Sequence, residues 1–529
     1  MSVAAPLSSD RVRSAEKTSE TCDGQEPLPK VFIDQSHDFL FVVLHLGFFL
    51  KYNGFLGTLS AATLDPSLYR NCDVVVTHQG WSPIVYDSEH ITSLARFVNS
   101  GGGLLLIGYG PGAAQTLAKK GQPFDAWSLN TLAEKFGFCF LPQPGETPLT
   151  IVPHELTQGV DSLVLSTDRQ LVGTELLFPG AAPLVLDRVG KPVVAAAEYG
   201  NGRVAAIAGY GFLQKIEVEG NSRFFKSLFQ WLGQNSPHRR ALSAEHPARV
   251  FPGITLHKGW DYETAAHPGS NPDWDVDGSD FIWPELEIRR NKIVFQYTRA
   301  LEPQIEFLLK AYPEVYNTLE SMFQLSPKET LYIQALPSAG SGYHWEKQRV
   351  VAIGCLIEPG SVIAIMAHEL VHAWGLPTPR NFAHGWTTFT DDYIAHALKL
   401  FPSAEIERRW QSELDKVKEV DPGLNQLDIT SQARDPREQR LLDKKVGLIL
   451  KELHKRFGME TFAKFLRICR EHAAISAKAN PDDPTMSLGS FVFYFSQAAN
   501  VDLVPFFRKY GTTVQADPGI EKRESLLWR

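Results

Sequence analysis

The stretch Ala367-His368-Glu369-Leu370-Val371-His372-Ala373-Trp374 constrains this chain most, because it spells HExxH inside an apolar run. On a helix, histidines at i and i+4 project from one face, so both imidazoles can reach one ion. Glu369 then stands beside that ion as a general base toward water. Pro359-Gly360-Ser361 reads as a helix start with Ser361 as N-cap, and Gly375-Leu376-Pro377 as a stop. Val362, Ile363, Ile365, Met366, Leu370 and Val371 make the helix apolar enough to be buried. Two histidines and a glutamate placed there need partners, since uncompensated buried polar groups are costly.

At 529 residues the chain is too long for one ordinary core, and its 43% apolar and 21% charged content is that of a soluble globular protein. The net charge of −8, without a long basic stripe, argues against nucleic acid as a partner. The five cysteines are scattered and none has CxxC spacing, which argues against a disulfide framework or a cysteine-rich zinc site. No apolar signal segment opens the chain, and Phe39 to Leu50 is only 12 residues long, short of a membrane span. A cytoplasmic location is the expectation, with no transmembrane segment.

The chain divides into four parts: a disordered tail (1–29), a doubly wound, mostly parallel α/β domain (30–234), a polar linker (235–250) and an α+β, mainly helical domain (251–529). In the first domain, apolar runs at Val31–Asp34, Val74–Thr77, Leu104–Gly108, Leu184–Leu186, Val193–Ala197 and Val204–Gly209 read as strands buried on both faces. Asp87 to Asn99 and Phe224 to Leu232 read as helices. "RFVNSGGGLLLIGYGPG" (Arg96 to Gly112) and "VVAAAEYGNGRVAAIAGYG" (Val193 to Gly211) resemble the class I glutamine amidotransferase-like, flavodoxin-related domains. Active members carry a cysteine at the turn that here reads Gly108-Tyr109-Gly110, so the resemblance implies a non-catalytic domain that binds a protein partner or acts as a scaffold. Gly108 to Gly112 lacks the lysine and hydroxyl of a phosphate loop. His78 and His90 read as packing residues.

In the second domain, Trp260 to Trp283 reads as an ordered loop. Runs at Thr330–Ala335 and Arg349–Gly354 read as strands, and helices are expected at Glu302–Phe323, Glu405–Val417, Arg437–Phe457 and Thr461–Ala474. A small sheet, the HExxH helix and a helical lobe make up the zincin plan. Catalytic zinc needs three protein ligands, and His368 and His372 supply two. Thr378 stands where a metzincin would place its next ligand, and Asn381 to Tyr393 contains no glutamate of the gluzincin kind.

His368-Glu369-Leu370-Val371-His372, the run Thr388-Phe389-Thr390-Asp391-Asp392, "RFGMETFAKFLRICRE" and "DLVPFFRKYG" resemble the enhancin-like gluzincins, peptidase family M-sixty. Paired with the amidotransferase-like domain, the architecture is similar to the TRP-channel-associated factors. The resemblance implies a zinc metallopeptidase acting on a protein, peptide or glycoprotein substrate, or an inactive zincin-fold scaffold. It puts the family's ligand glutamate on Thr388, a poor zinc ligand. His384 lies one turn earlier on the same helical face, and an alignment on His384-Gly385-Trp386-Thr387 puts it at the ligand position. His384 is therefore the expected third ligand. Asp391 and Asp392 stand as alternatives, or as carboxylates that orient a histidine ring. Tyr343, His344, Tyr393 and Tyr494 are candidate oxyanion donors.

Overall fold

The computed structural model describes residues 28–165, 172–238, 254–255, 275–276, 281–282, 284–290, 293–324, 330–338, 342–345, 350–373, 382–431, 433, 436–479 and 487–514. The expected tail, most of the linker, most of the Trp260–Trp283 loop and the Gly375-Leu376-Pro377 stop lie outside the described residues.

Lys30–Asp34, Val74–Gln79 and Gly103–Gly108 form parallel strands because their side chains are apolar on both faces. Val31, Ile33, Val74 and Val76 enter one core layer, while Phe32, Val75, Leu104 and Leu106 enter the layer on the opposite face. The nine-stranded sheet runs Phe281–Ile282, Leu56–Ser60, Lys30–Asp34, Val74–Gln79, Gly103–Gly108, Gly202–Ile207, Pro192–Tyr199, Ala181–Leu186, Thr150–Ile151. The Phe39–Leu50 run lies largely in a helix, Phe41–Tyr52, that leads into Leu56–Ser60, a strand with no apolar run to announce it.

Two of the apolar runs differ from expectation. Val193–Ala197 and Leu184–Leu186 belong to antiparallel strands: Gly200 at φ 59° turns the chain between Tyr199 and Gly202, and Gly190 at φ 86° lies in the turn between Leu186 and Pro192. Burial of all of Val193–Ala197, and of Leu184 and Val185, left no alternation to distinguish them from parallel strands by composition. The Asp87 start is as read: its carboxylate caps Ser88–Asn99 by accepting from the Glu89 and His90 N–H groups.

The second half carries a five-stranded sheet in the order Leu286–Arg290, Ile293–Tyr297, Leu331–Leu336, Val350–Gly354, Gly342–Trp345. Glu302–Phe323 is the crossover helix between the parallel strands Ile293–Tyr297 and Leu331–Leu336. The HExxH helix, Pro359–Ala373, follows the sheet and buries Val362, Met366, Leu370 and Val371. It starts two residues before Ser361, whose N–H and hydroxyl both donate to the Glu358 carboxylate. Glu358, not Ser361, therefore caps it.

The next helix, Phe382–Ala397, crosses the long helix Pro436–Ala479 at very short range. A β-carbon on Gly385 would sit 2.3 Å from Val446 Cγ1, so only glycine allows this approach. Gly458, at φ 72° and ψ 171°, breaks the long helix between the two helices read from sequence. The halves are joined tightly: Phe281–Ile282 extends the first sheet, Glu285 accepts from Thr63, and the Phe39 N–H donates to Pro337 O.

Candidate metal centre

The i, i+4 spacing puts His368 and His372 one turn apart, with ring centroids 5.2 Å from each other. His384, in the first turn of the next helix, brings its ring within 5.1 Å of His372 and 6.2 Å of His368. One ring nitrogen from each of the three lies within 4.8 Å of the others. Among the described residues no other such group of three metal-binding side chains occurs.

The surroundings of each group set its protonation. Asp391 lies 2.8 Å from His368 Nδ1, where its carboxylate accepts the ring N–H and leaves Nε2 facing away. Burial pulls His368 down, but the Asp391 and Glu369 carboxylates overcome it and hold the ring at about 9. Burial pushes Asp391 up, against the pull of the His368 ring. His384 is open to a neighbouring cavity yet loses enough hydration, next to His368, to fall to about 4 and stay neutral. Glu369 is buried, and loss of solvent raises it to about 7. The edge strand packs against it: a β-carbon on Gly342 would lie 2.5 Å from Glu369 Oε1.

Other sequence candidates fall elsewhere. Asp392 does not join the imidazole group; burial and Asp391 push it up to about 7, and its carboxylate takes a hydrogen bond from Trp410. Thr388 lines the same cavity as Asp392. Tyr494 is buried in the helical core, and Tyr393 packs edge-on against His454 at 5.4 Å. Tyr343 and His344 lie on the edge strand Gly342–Trp345; their side chains lie outside the described residues. Asp443, pushed up to about 7 by burial, also lines the cavity; it went unread because its helix begins more than fifty residues after His384 and no local spacing links them.

The α/β half holds a second polar concentration, at the carboxyl ends of Lys30–Asp34 and Val74–Gln79, where the strand order reverses direction. Asp34 receives His37 Nδ1 at 3.0 Å, the Ser36 hydroxyl at 2.7 Å and Thr77 Oγ1 at 2.9 Å. His78 is buried against Tyr210, and His90 sits edge-on to His37. The elbow glycines serve packing: a β-carbon on Gly108 would strike Phe140, and one on Gly110 would strike Leu141 O. Burial alone would raise Asp34, but His37, Ser36 and their hydrogen bonds hold it down at about 2. A depressed acid stabilises the fold fully above its unfolded value of 3.8 and loses that contribution as pH falls toward 2. Asp34→Asn should therefore cost about 2 kcal/mol at neutral pH, a difference from wild type that shrinks below pH ~4. A gap that stays constant down to pH ~2 in paired urea titrations would show that Asp34 is not held ionised.

No family model matches the chain, and no curated protein matches it. Weak structural neighbours include the mmIFT52 N-terminal domain, at 15% identity and TM-score 0.32, covering 38% of this chain and 96% of that one. An M1 zinc metallopeptidase from Deinococcus radiodurans is 13% identical with TM-score 0.30, covering 44% of this chain and 51% of that one. Yeast LTA4 hydrolase is 15% identical with TM-score 0.30, covering 44% and 40%. The chain thus spans about half or less of either zinc enzyme. No helix among the described residues is long and apolar enough to cross a membrane.

Proposed function

We propose that the second half is a zinc-dependent peptidase in which His368, His372 and His384 hold the metal and Glu369 is the general base. The observation that carries this is the convergence of three imidazole nitrogens within 4.8 Å beside a buried carboxylate on the same helix. The donor set fits the ion: three imidazole nitrogens, with the His368 proton displaced on binding, are a ligand set that catalytic zinc takes. The Asp391 contact at His368 Nδ1 supports it, since a carboxylate there fixes the tautomer that offers Nε2. Zinc bound here would polarise a peptide carbonyl and acidify a water.

The protein groups do the rest. Glu369 takes a proton from the attacking water and returns it to the leaving amine, and its burial keeps that exchange away from bulk solvent. The Gly342 backbone packs against that carboxyl, so closely that a β-carbon there would lie 2.5 Å from its Oε1. Asp391 keeps His368 oriented throughout. The α/β half, fused through a shared sheet, holds the zincin half and offers a surface for a protein partner.

Metal analysis tests the reading. Wild type should hold about one zinc per chain. His384→Ala should lose more affinity than Asp391→Ala, whose role as an outer partner is worth about 10–100-fold. Full zinc retention by His384→Ala, with loss in Asp392→Ala, would move the third ligand to Asp392. A metal-free wild type that stays folded and cleaves nothing would favour a scaffold.

A further inference from the structure

A cavity of ≈ 350 Å³ opens beside the imidazole group and shares His384 with it. At about 30 Å³ per water it holds roughly a dozen waters, room for one side chain rather than a folded partner. Its walls come from three helices, Phe382–Ala397, Ser403–Val420 and Pro436–Ala479, and Trp410 is its one large apolar surface. An uncharged apolar side chain therefore finds little to bury against.

The charged groups in the wall are nearly all engaged. Asp392 accepts from Trp410, with Arg409 and Lys451 close by. Arg409 donates to Glu405 at 2.7 Å and lies 4.0 Å from the Phe401 ring centroid. Glu413 is paired with Lys444 and with Lys416. Asp443 accepts from the Gln439 amide at 2.8 Å. Arg440 alone, among the described residues of this wall that carry a positive charge, has neither an ion pair nor a hydrogen bond within the chain. Its guanidinium offers five N–H groups in a planar fork that matches a carboxylate.

We propose that Arg440 sets the specificity of this site by binding a carboxylate of the substrate next to the bond to be cut. The inference rests on the peptidase reading given above. A cationic substrate group finds Glu413 paired with Lys444 and Lys416 and Asp392 flanked by Arg409 and Lys451, which leaves it only Asp443, already accepting from the Gln439 amide. A doubly charged phosphate would face Asp392, Glu413 and Asp443 together, whereas a single carboxylate can be met by one guanidinium. The carboxylate belongs either to an acidic side chain or to the free end of a peptide.

Both sources are separable with full-length, zinc-loaded protein and dye–quencher peptides built on alanine. One set scans Glu, Gln, Leu and Lys through each position, and a second compares free with amidated C-termini. Wild type should prefer Glu over Gln at one position, or a free over an amidated end, by about tenfold or more in kcat/KM, the worth of one charge-assisted hydrogen bond. Arg440→Ala should remove that preference, Arg440→Lys should keep part of it, and Arg440→Glu should turn it toward Lys, all with unchanged zinc content. Equal ratios in wild type and Arg440→Ala, or a wild-type preference for Lys, would overturn the proposal. If wild type cuts none of the peptides, the peptidase reading fails. Fluorescence anisotropy with the same Glu and Gln peptides then judges Arg440 separately, and binding that ignores both the charge and the Arg440 variants rejects it.

Discussion

Glu369→Gln should leave zinc binding intact while lowering kcat by about 10²–10⁴-fold, the usual worth of a positioned general base. Glutamine keeps the shape of the side chain, so the Gly342 contact and the helix packing persist. What it loses is the ability to accept and return a proton. A second readout separates chemistry from misfolding. Glu369 is raised from 4.5 to about 7, so in the metal-free protein the folded state binds the proton more tightly than the unfolded chain does. The stability this provides is complete below pH ~4.5 and is lost as pH rises through ~7. Metal-free Glu369→Gln should therefore match wild type at pH ~5 and exceed it at pH ~8 in melting temperature. Undiminished kcat in this variant, at full zinc, would remove Glu369 from the mechanism.

The largest stability loss is expected from Asp421→Ala, at about 3–5 kcal/mol. Asp421 and Lys445 form an ion pair at 2.7 Å, and both side chains are essentially excluded from water. Asp421 also accepts from the Asn425, Gln426 and Leu427 N–H groups, at 2.8, 3.0 and 3.0 Å. Burial opposes its ionisation, but Lys445 and those N–H groups outweigh it and hold the carboxyl below its usual range. Removing the carboxylate leaves a buried ammonium with Leu427 O as its remaining acceptor. Lys445→Met is milder, because Asp421 then keeps three backbone donors. Urea denaturation should rank the two variants in that order, and equal costs would show that the backbone bonds contribute little. The pair also bears on the site: Lys445 precedes Val446, which packs on Gly385 beside His384. Asp421→Ala should thus weaken zinc binding without touching a ligand.

Much of this was legible in the residues themselves. The spacing of His368 and His372, the apolar face that buries their helix, and the Asp87 cap all depend on interactions within a turn or two of one helix. The strands Val74–Gln79 and Gly103–Gly108 announce themselves because both their faces are apolar. Leu56–Ser60 went unseen because only its last two residues are buried, so its sequence carries no continuous apolar signal. The antiparallel setting of Pro192–Tyr199 was missed for the opposite reason: burial on both faces erases the alternation that would mark direction. Arg440 and Asp443 gave no sign, since what matters about them is the cavity they face.

The sequence by itself determined one helix with two imidazoles and a carboxylate on it, an α/β half without a nucleophile at its elbow, and a short choice of third ligands. Only the tertiary structure decided that His384 meets His368 and His372 while Asp391 turns to His368 Nδ1 and Asp392 to Trp410. Backbone hydrogen bonding sets helical periodicity over a few residues and can be read locally. The distance between two helices is set by contacts such as Gly385 against Val446, whose partners lie far apart in the chain.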